Sequence, residues 1–251
     1  MADLPEPVPA ATLVLMRAVP DGPPELLVME RAANMAFAAG ALVFPGGRID
    51  PGDREAAAAY PDRPDAAARI AAIRETIEET GVAAGLVTEP DAATAAALRE
   101  GLAGGAPFAG LLERAALRLD LDALTPFARW CPNFRETRRF DTLFFLAEAP
   151  AGLAAASADA GESVRAFWAS AAAVLAEVEA GGAHVIFPTR RNLERLARFA
   201  SIEEARADAA RHPVRQITPW VEERDGRHYV CIPDDAGYPV TCEPLETARR
   251  R

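Results

Sequence analysis

The sequence predicts one α/β domain with helical insertions. Three observations carry this expectation. Short leucine- and valine-rich runs are bounded by turn residues. Longer stretches with helical periodicity are interleaved between them. The 251 residues contain neither an internal repeat nor a long linker, so residues 1–251 read as a single domain.

Taken in order, residues 11–19 (ATLVLMRAV) and 25–31 (ELLVMER) read as two strands joined by a DGPP turn. A third strand, Ala41–Phe44, runs into Pro45-Gly46-Gly47, which predicts a loop. Residues 48–65 are rich in turn formers, with an alanine run long enough for one or two helical turns. From Ala66 to about Thr80 the pattern is helical. Ile70, Ile73 and Ile77 mark one apolar face, and Gly81 stands where a helix-ending residue belongs. Residues 91–120 predict two helices split by GLAGGAPF, within a helical insertion spanning about 83–120. Strands follow at Phe127–Trp130 and Thr142–Leu146, then helices at about 170–180 and 189–206. The segment QITPWVEERDGRHYVCIPDD reads as a hairpin turning at Asp225-Gly226.

Composition excludes several functions. There are 27 basic and 37 acidic residues, a net charge of −10, which argues against a nucleic-acid binder working through a broad basic surface. Every basic residue is arginine, so Schiff-base chemistry, a lysine general base and a Walker-type phosphate loop are excluded. Alanine fills 57 positions, so the 50% apolar content overstates the core. Cys131, Cys231 and Cys242 are too few and too scattered to predict a disulfide framework or a zinc site, and reduced thiols in a cytoplasm are expected. The N-terminal MADLPEPVPA lacks a signal-peptide pattern and the C-terminal ETARRR a lipidation signal. With no apolar run near ~18 residues either, a cytoplasmic protein with no membrane partner is expected.

The chemistry concentrates in GGRIDPGD from Gly46 and RETIEETGV from Arg74 to Val82. On a helix, Glu75, Glu78 and Glu79 fall within an arc of about 100°. Arg74 stands four residues before Glu78, within pairing reach. Carboxylates packed this closely repel one another unless a cation neutralises them, and hard oxygen ligands suit Mg²⁺ or Mn²⁺. The same string also describes a solvated acidic helix face. The preceding strand and FPGG segment add a second feature, a glycine turn whose backbone can approach a metal or a phosphate.

These residues resemble the Nudix hydrolase signature: glycine, five residues, glutamate, seven residues, then R-E-apolar-x-E-E-x-G-apolar. Gly47 matches the first glycine, and Arg74, Glu75, Glu78, Glu79, Gly81 and Val82 match the second half. Asp53 stands at the first glutamate, Thr76 replaces the apolar residue, and twenty residues replace the gap of seven. The lengthened gap resembles the branch containing coenzyme A and acyl-coenzyme A diphosphatases. So do TPFARWCPNFRETRRFDTLFFLAEAP, residues 162–168 and FPTRRNLERL, and the likeness extends over about residues 11–240. In that branch an arginine precedes the FPGG segment; here Gly40 fits, but Ala36 holds the arginine position and Arg31 lies five residues upstream.

The resemblance implies a Nudix-type α/β/α sandwich with a mixed β-sheet and helical insertions that hydrolyses a nucleoside diphosphate linked to another group. Coenzyme A or acyl-coenzyme A leads as substrate, giving adenosine 3′,5′-bisphosphate and (acyl-)phosphopantetheine. ADP-ribose or a nucleotide sugar is the alternative, and a catalytically inactive nucleotide-binding module a third reading. Mg²⁺ or Mn²⁺ would sit on Glu75, Glu78, Glu79 and the Gly46 carbonyl, with Asp53 as a further ligand. Glu75 and Glu162 are the candidate general bases, with Arg74 also in the catalytic set. Gly47, Arg31, Arg48, Arg138 and Arg139 are the candidate substrate contacts, the arginines through bidentate pairing with phosphate. Phe37, Phe44 and Trp130 could stack an adenine or simply fill the core, and Asp141 is expected to pair with a neighbouring arginine. His184, His212 and His228 are expected to serve packing or solvent-facing roles. Dimeric relatives make a homodimer compatible with the sequence, and no segment identifies an interface.

Overall fold

The structure is a computed structural model that describes residues 5–32, 38–133, 139–151 and 163–249. Strand β1 (Val8–Arg17) organises it, because both of its edges and both of its faces are used. Its side chains alternate between two cores, as the two-residue period of a strand requires. Ala11, Leu13 and Leu15 pack against one cluster, Val14 and Met16 against the other, and all are essentially fully buried.

Along one edge β1 pairs antiparallel with β2 (Glu25–Arg31) at its far end, Met16 opposite Leu26. Nearer its start, the same edge takes β4 (Gly46–Arg48), with Ala11 opposite Gly47 and Thr12 opposite Gly46. Between them β3 (Leu42–Val43) pairs with β2. The other edge of β1 pairs in parallel with β6 (Phe140–Glu148) over nine residue pairs, Val8↔Phe140 through Met16↔Glu148. Outward from β6 lie β5 (Thr125–Trp130) and the short β8 (Gln216–Ile217), while β7 (Ser163–Ser170) pairs antiparallel with β2. The sheet is therefore mixed, as predicted.

One helical layer comprises α1 (Pro51–Ala57), α2 (Ala66–Thr80), α3 (Ala92–Ala103) and α4 (Phe108–Arg114). Ile70, Ile73 and Ile77 of α2 share a cluster with Ala11, Leu13 and Leu15 of β1 and with Leu98, Leu102 and Leu111 of the insertion. The opposite layer comprises α5 (Ala171–Glu179), α6 (Phe187–Leu196) and α7 (Ile202–Arg211), whose Val174, Leu193 and Ala205 pack with Val14 and Met16. The result is an α/β/α sandwich. A second, three-stranded sheet of β9 (Trp220–Arg224), β10 (Arg227–Cys231) and β11 (Cys242–Pro244) precedes α8 (Leu245–Arg249). Among the described residues no helix is long and apolar enough to cross a membrane.

The helix expected from Ala66 to Thr80 has those bounds, and Gly81 ends it in the left-handed region at φ 74°. A side chain there would strain the backbone, whereas glycine adopts this conformation freely. Three expectations are corrected. Gly46-Gly47 is part of a strand, because the two glycines let that segment lie directly on β1. The segment 189–206 is two helices: α6 stops at Ala197, and Ser201 starts α7 by accepting the Glu204 amide at 3.2 Å. Cys231 and Cys242, expected as reduced thiols, stand opposite each other on β10 and β11 with Cα atoms 4.2 Å apart and form a disulfide, while Cys131 is a free buried thiol. Eleven residues of separation concealed a pairing that strand register creates.

Helix α6 carries charge into the second core. Arg195 and Asp208 are 1% and 3% exposed at their side chains and paired at 2.8 Å. The guanidinium also lies 4.1 Å from the centre of the Phe127 ring and donates to the Phe127 carbonyl at 3.2 Å. Removing one partner of a buried pair leaves the other charge desolvated and unmatched. Asp208→Ala is therefore expected to lower stability by about 3–5 kcal/mol, read from the midpoint shift in urea unfolding.

Candidate active site

Two glycines and one helix build the site. A Cβ on Gly46 would stand 2.7 Å from the Thr12 Cα, so only glycine lets β4 lie this close to β1. A Cβ on Gly47 would occupy the position of the Glu75 carboxylate, so the missing side chain is the space that Glu75 fills. The Gly46 amide donates to Glu79 Oε2 at 2.9 Å. The glycine pair thus receives two of the three clustered glutamates of α2. Thr76, the polar residue at an apolar position, is fully buried because its hydroxyl donates to the Ala72 carbonyl at 2.7 Å within the same helix.

Arg74 is the hub. Its Nε donates to Asp53 Oδ1 and its Nη2 to Asp53 Oδ2, both at 3.0 Å, and Nη2 also donates to the Arg48 carbonyl at 3.0 Å. Nη1 lies 2.8 Å from Glu75 Oε1 and 3.4 Å from Glu78 Oε2, and Asp50 approaches at 3.8 Å. Four carboxylates thus share one guanidinium. Burial alone would lower the Arg74 pKa, but its bonds to Asp53 and the charge of Glu75 raise it instead. Burial pushes the Glu75 carboxyl from its ordinary 4.5 to about 7; Arg74 opposes that shift, and Glu78 adds to it.

Asp53, expected as a further metal ligand, pairs with Arg74 in this structure. It is 2% exposed, both oxygens are taken by the bidentate pair with Arg74, and Oδ2 also accepts the Asp50 amide at 2.9 Å in the capping box of α1. Among the described residues no three His, Cys, Asp or Glu side chains converge into a ready-made metal cage. The reason is visible in the pairing: Glu75 and Glu78 turn to Arg74, and Glu79 to the Gly46 amide.

The arginines expected to bind phosphate divide. Arg139 braces the entry to β1 and the end of β5, donating to the Pro132 and Pro5 carbonyls at 3.3 Å and to Cys131 Sγ at 3.4 Å. Arg48 contributes its carbonyl to Arg74 and exposes its side chain. Arg31 closes β2 with a buried Nε that has no hydrogen-bond partner among the described residues. Arg138, Glu162, Phe37 and Ala36 lie outside the described residues. Trp130 is 1% exposed and donates to the Tyr238 hydroxyl at 3.0 Å, and Phe44 is 4% exposed, so both are core residues. Asp141 pairs with a neighbouring arginine, accepting Arg129 Nε at 2.8 Å and Nη2 at 2.6 Å. Sequence reasoning missed Arg99, which donates from α3 to the Glu78 and Glu79 carbonyls at 3.1 and 3.0 Å. No motif marks it.

No family model matches the sequence. Among solved structures, a NUDIX hydrolase from Alicyclobacillus acidocaldarius is similar over 80% of this chain and 96% of its own, with TM-score 0.72 and 29% identity. The NUDIX domain of Shewanella oneidensis NrtR, solved with ADP ribose, is similar over 78% of this chain and 88% of its own, with TM-score 0.45 and 15% identity. The sandwich is that of the Nudix hydrolases. The likeness to solved Nudix hydrolases supports a hydrolase acting on diphosphate anhydride bonds.

A carboxyl that holds its proton more tightly when folded than when unfolded stabilises the fold at low pH. For Glu75 this contribution is complete below about pH 4.5 and is lost as pH rises through about 7. In metal-free protein, Glu75→Gln is therefore expected to gain on wild type by on the order of 2–3 kcal/mol between pH 5 and pH 8, read from paired urea titrations. A pH-independent difference would contradict the burial argument.

Proposed function

We propose that this chain is a divalent-metal-dependent diphosphatase using Mg²⁺ or Mn²⁺, with coenzyme A or acyl-coenzyme A as substrate. The observation that carries the reading is the excess of carboxylate around Arg74, with Glu75 seated in the space left by Gly47. The donor set fits a hard divalent cation: oxygen ligands only, clustered on one helix arc, and more negative charge than one guanidinium balances. Glu75, Glu78, Glu79 and the Gly46 carbonyl would hold it. When bound, such an ion supplies charge neutralisation for the diphosphate and for the departing phosphate.

The protein's own groups do the rest. A carboxylate of the site, Glu75 being the candidate among the described residues, takes the proton from the attacking water. Water attacks one phosphorus in line, the P–O bond to the bridging oxygen breaks, and that oxygen leaves on the second phosphate. Arg74 keeps Glu75 and Glu78 on the same arc while its own charge is held by Asp53. Arg31, Arg48, Arg138 and Arg139 are the arginines proposed to pair with substrate phosphates. The coenzyme A reading is supported by the stretched gap between Asp53 and Arg74 and by the segments resembling that branch. Ala36 in the arginine position favours a second reading, in which ADP-ribose or a nucleotide sugar is cleaved. A small-molecule substrate accompanies both readings.

Purified protein with Mg²⁺ and a panel of coenzyme A esters, ADP-ribose and dinucleoside polyphosphates, read by chromatography of the products, tests this. Adenosine 3′,5′-bisphosphate from coenzyme A is expected, and turnover of ADP-ribose alone would replace the first reading with the second. Glu79→Gln is expected to reduce turnover by at least about 100-fold while the protein stays folded by circular dichroism. Near-normal turnover would remove Glu79 from the site.

A further inference from the structure

The insertion at 83–120 has no role in the chemistry described so far, yet it touches α2 at the turn that carries two of the glutamates. The last carbonyls of a helix have no partner within it, and the C-terminal end carries partial negative charge. In α2 this end is doubly unfavourable. Its last turn contains Glu78 and Glu79 and no basic residue, and Glu79 is 5% exposed. The Gly81 amide satisfies the Ile77 carbonyl at 2.8 Å. The next two carbonyls, those of Glu78 and Glu79, are satisfied by Arg99 Nε and Nη2.

The guanidinium also lies over the left-handed turn, with Cδ and Nη1 3.5 Å from where a Gly81 Cβ would stand. Arg99 is held there by its own helix: the neighbouring Leu98 and Leu102 are buried in the cluster that contains Ile70, Ile73 and Ile77. Leu111 of α4 packs beneath Gly101 of α3.

We propose that Arg99 is a positioning residue for the hydrolytic site. It supplies the cation that the acidic end of α2 lacks and fixes the backbone from which Glu78 and Glu79 project. The insertion is the arm that delivers it. This inference rests on the hydrolase reading above and adds to it a residue outside the signature segment.

Three proteins test it: wild type, Arg99→Ala, and Leu111→Ala as a control that loosens the insertion without touching the two carbonyls. Mn²⁺ affinity is read by electron paramagnetic resonance, and amide hydrogen exchange of α2 is followed in metal-free protein. Arg99→Ala is expected to weaken Mn²⁺ binding by about 10–100-fold and to speed exchange in the last turn of α2. Leu111→Ala is expected to lower the melting temperature and leave Mn²⁺ affinity within about twofold of wild type. Equal Mn²⁺ affinity in wild type and Arg99→Ala overturns the inference and leaves the hydrolase reading intact. Equal loss in both variants also overturns it, because a loosened insertion alone would then account for the effect. A wild-type protein that binds no Mn²⁺ and turns over no diphosphate overturns the hydrolase reading, and this inference with it.

Discussion

The guanidinium of Arg74 is the constraint on which the site depends. It is 9% exposed and simultaneously engages the Asp53 carboxylate, the Arg48 carbonyl and the carboxylates of Glu75 and Glu78. Through Asp53 it ties α1 to α2, and through Arg48 it ties α2 to β4. One side chain therefore joins the three elements whose relative placement sets where the glutamates stand. Arginine suits the task because its fork presents several donors in fixed directions and stays charged when buried. A point charge such as lysine could not hold Asp53 through two parallel bonds and reach Glu75 as well.

That hub works because the surrounding fold is rigid on both sides. The isoleucines of α2 pack against Ala11, Leu13 and Leu15, the same strand that bears Gly46 and Gly47 on its edge. The helix and the glycine pair are thus referred to one strand, and β6 fixes that strand over its whole length. On the far side of α2, Arg69 is buried and donates to the carbonyls of Leu121 and Leu124, tying the segment that follows the insertion to α2. Clustered like charges cost free energy, so the apolar packing around them must exceed that cost.

The parts of this arrangement legible in the sequence are those with a local cause. Helix α2 is legible because an isoleucine period and a terminal glycine both act within one element. The hairpin at Asp225-Gly226 is legible because a two-residue turn announces itself. What was not legible depends on partners distant in the chain. Gly46-Gly47 reads as a loop until β1 is present to pair with it. The roles of Asp53 and Arg139 depend on what surrounds each charge, and a carboxylate or guanidinium in a motif looks the same whether it meets metal, substrate or another side chain. Arg99 lies in an alanine-rich helix with no pattern of its own, and only the approach of α3 to the end of α2 reveals its use. The Cys231–Cys242 pair follows the same logic, since strand register joins what sequence spacing separates.

The central claim is that the negative charge gathered on α2 is there to be neutralised by a divalent ion, with Arg74 holding the carboxylates ready. Anomalous diffraction from crystals soaked in Mn²⁺ tests this most directly. A peak bounded by Glu75, Glu78, Glu79 and the Gly46 carbonyl is expected, with Asp53 still paired to Arg74. Saturating Mn²⁺ that leaves those carboxylates without a peak, or places the ion on Asp53, would contradict that claim.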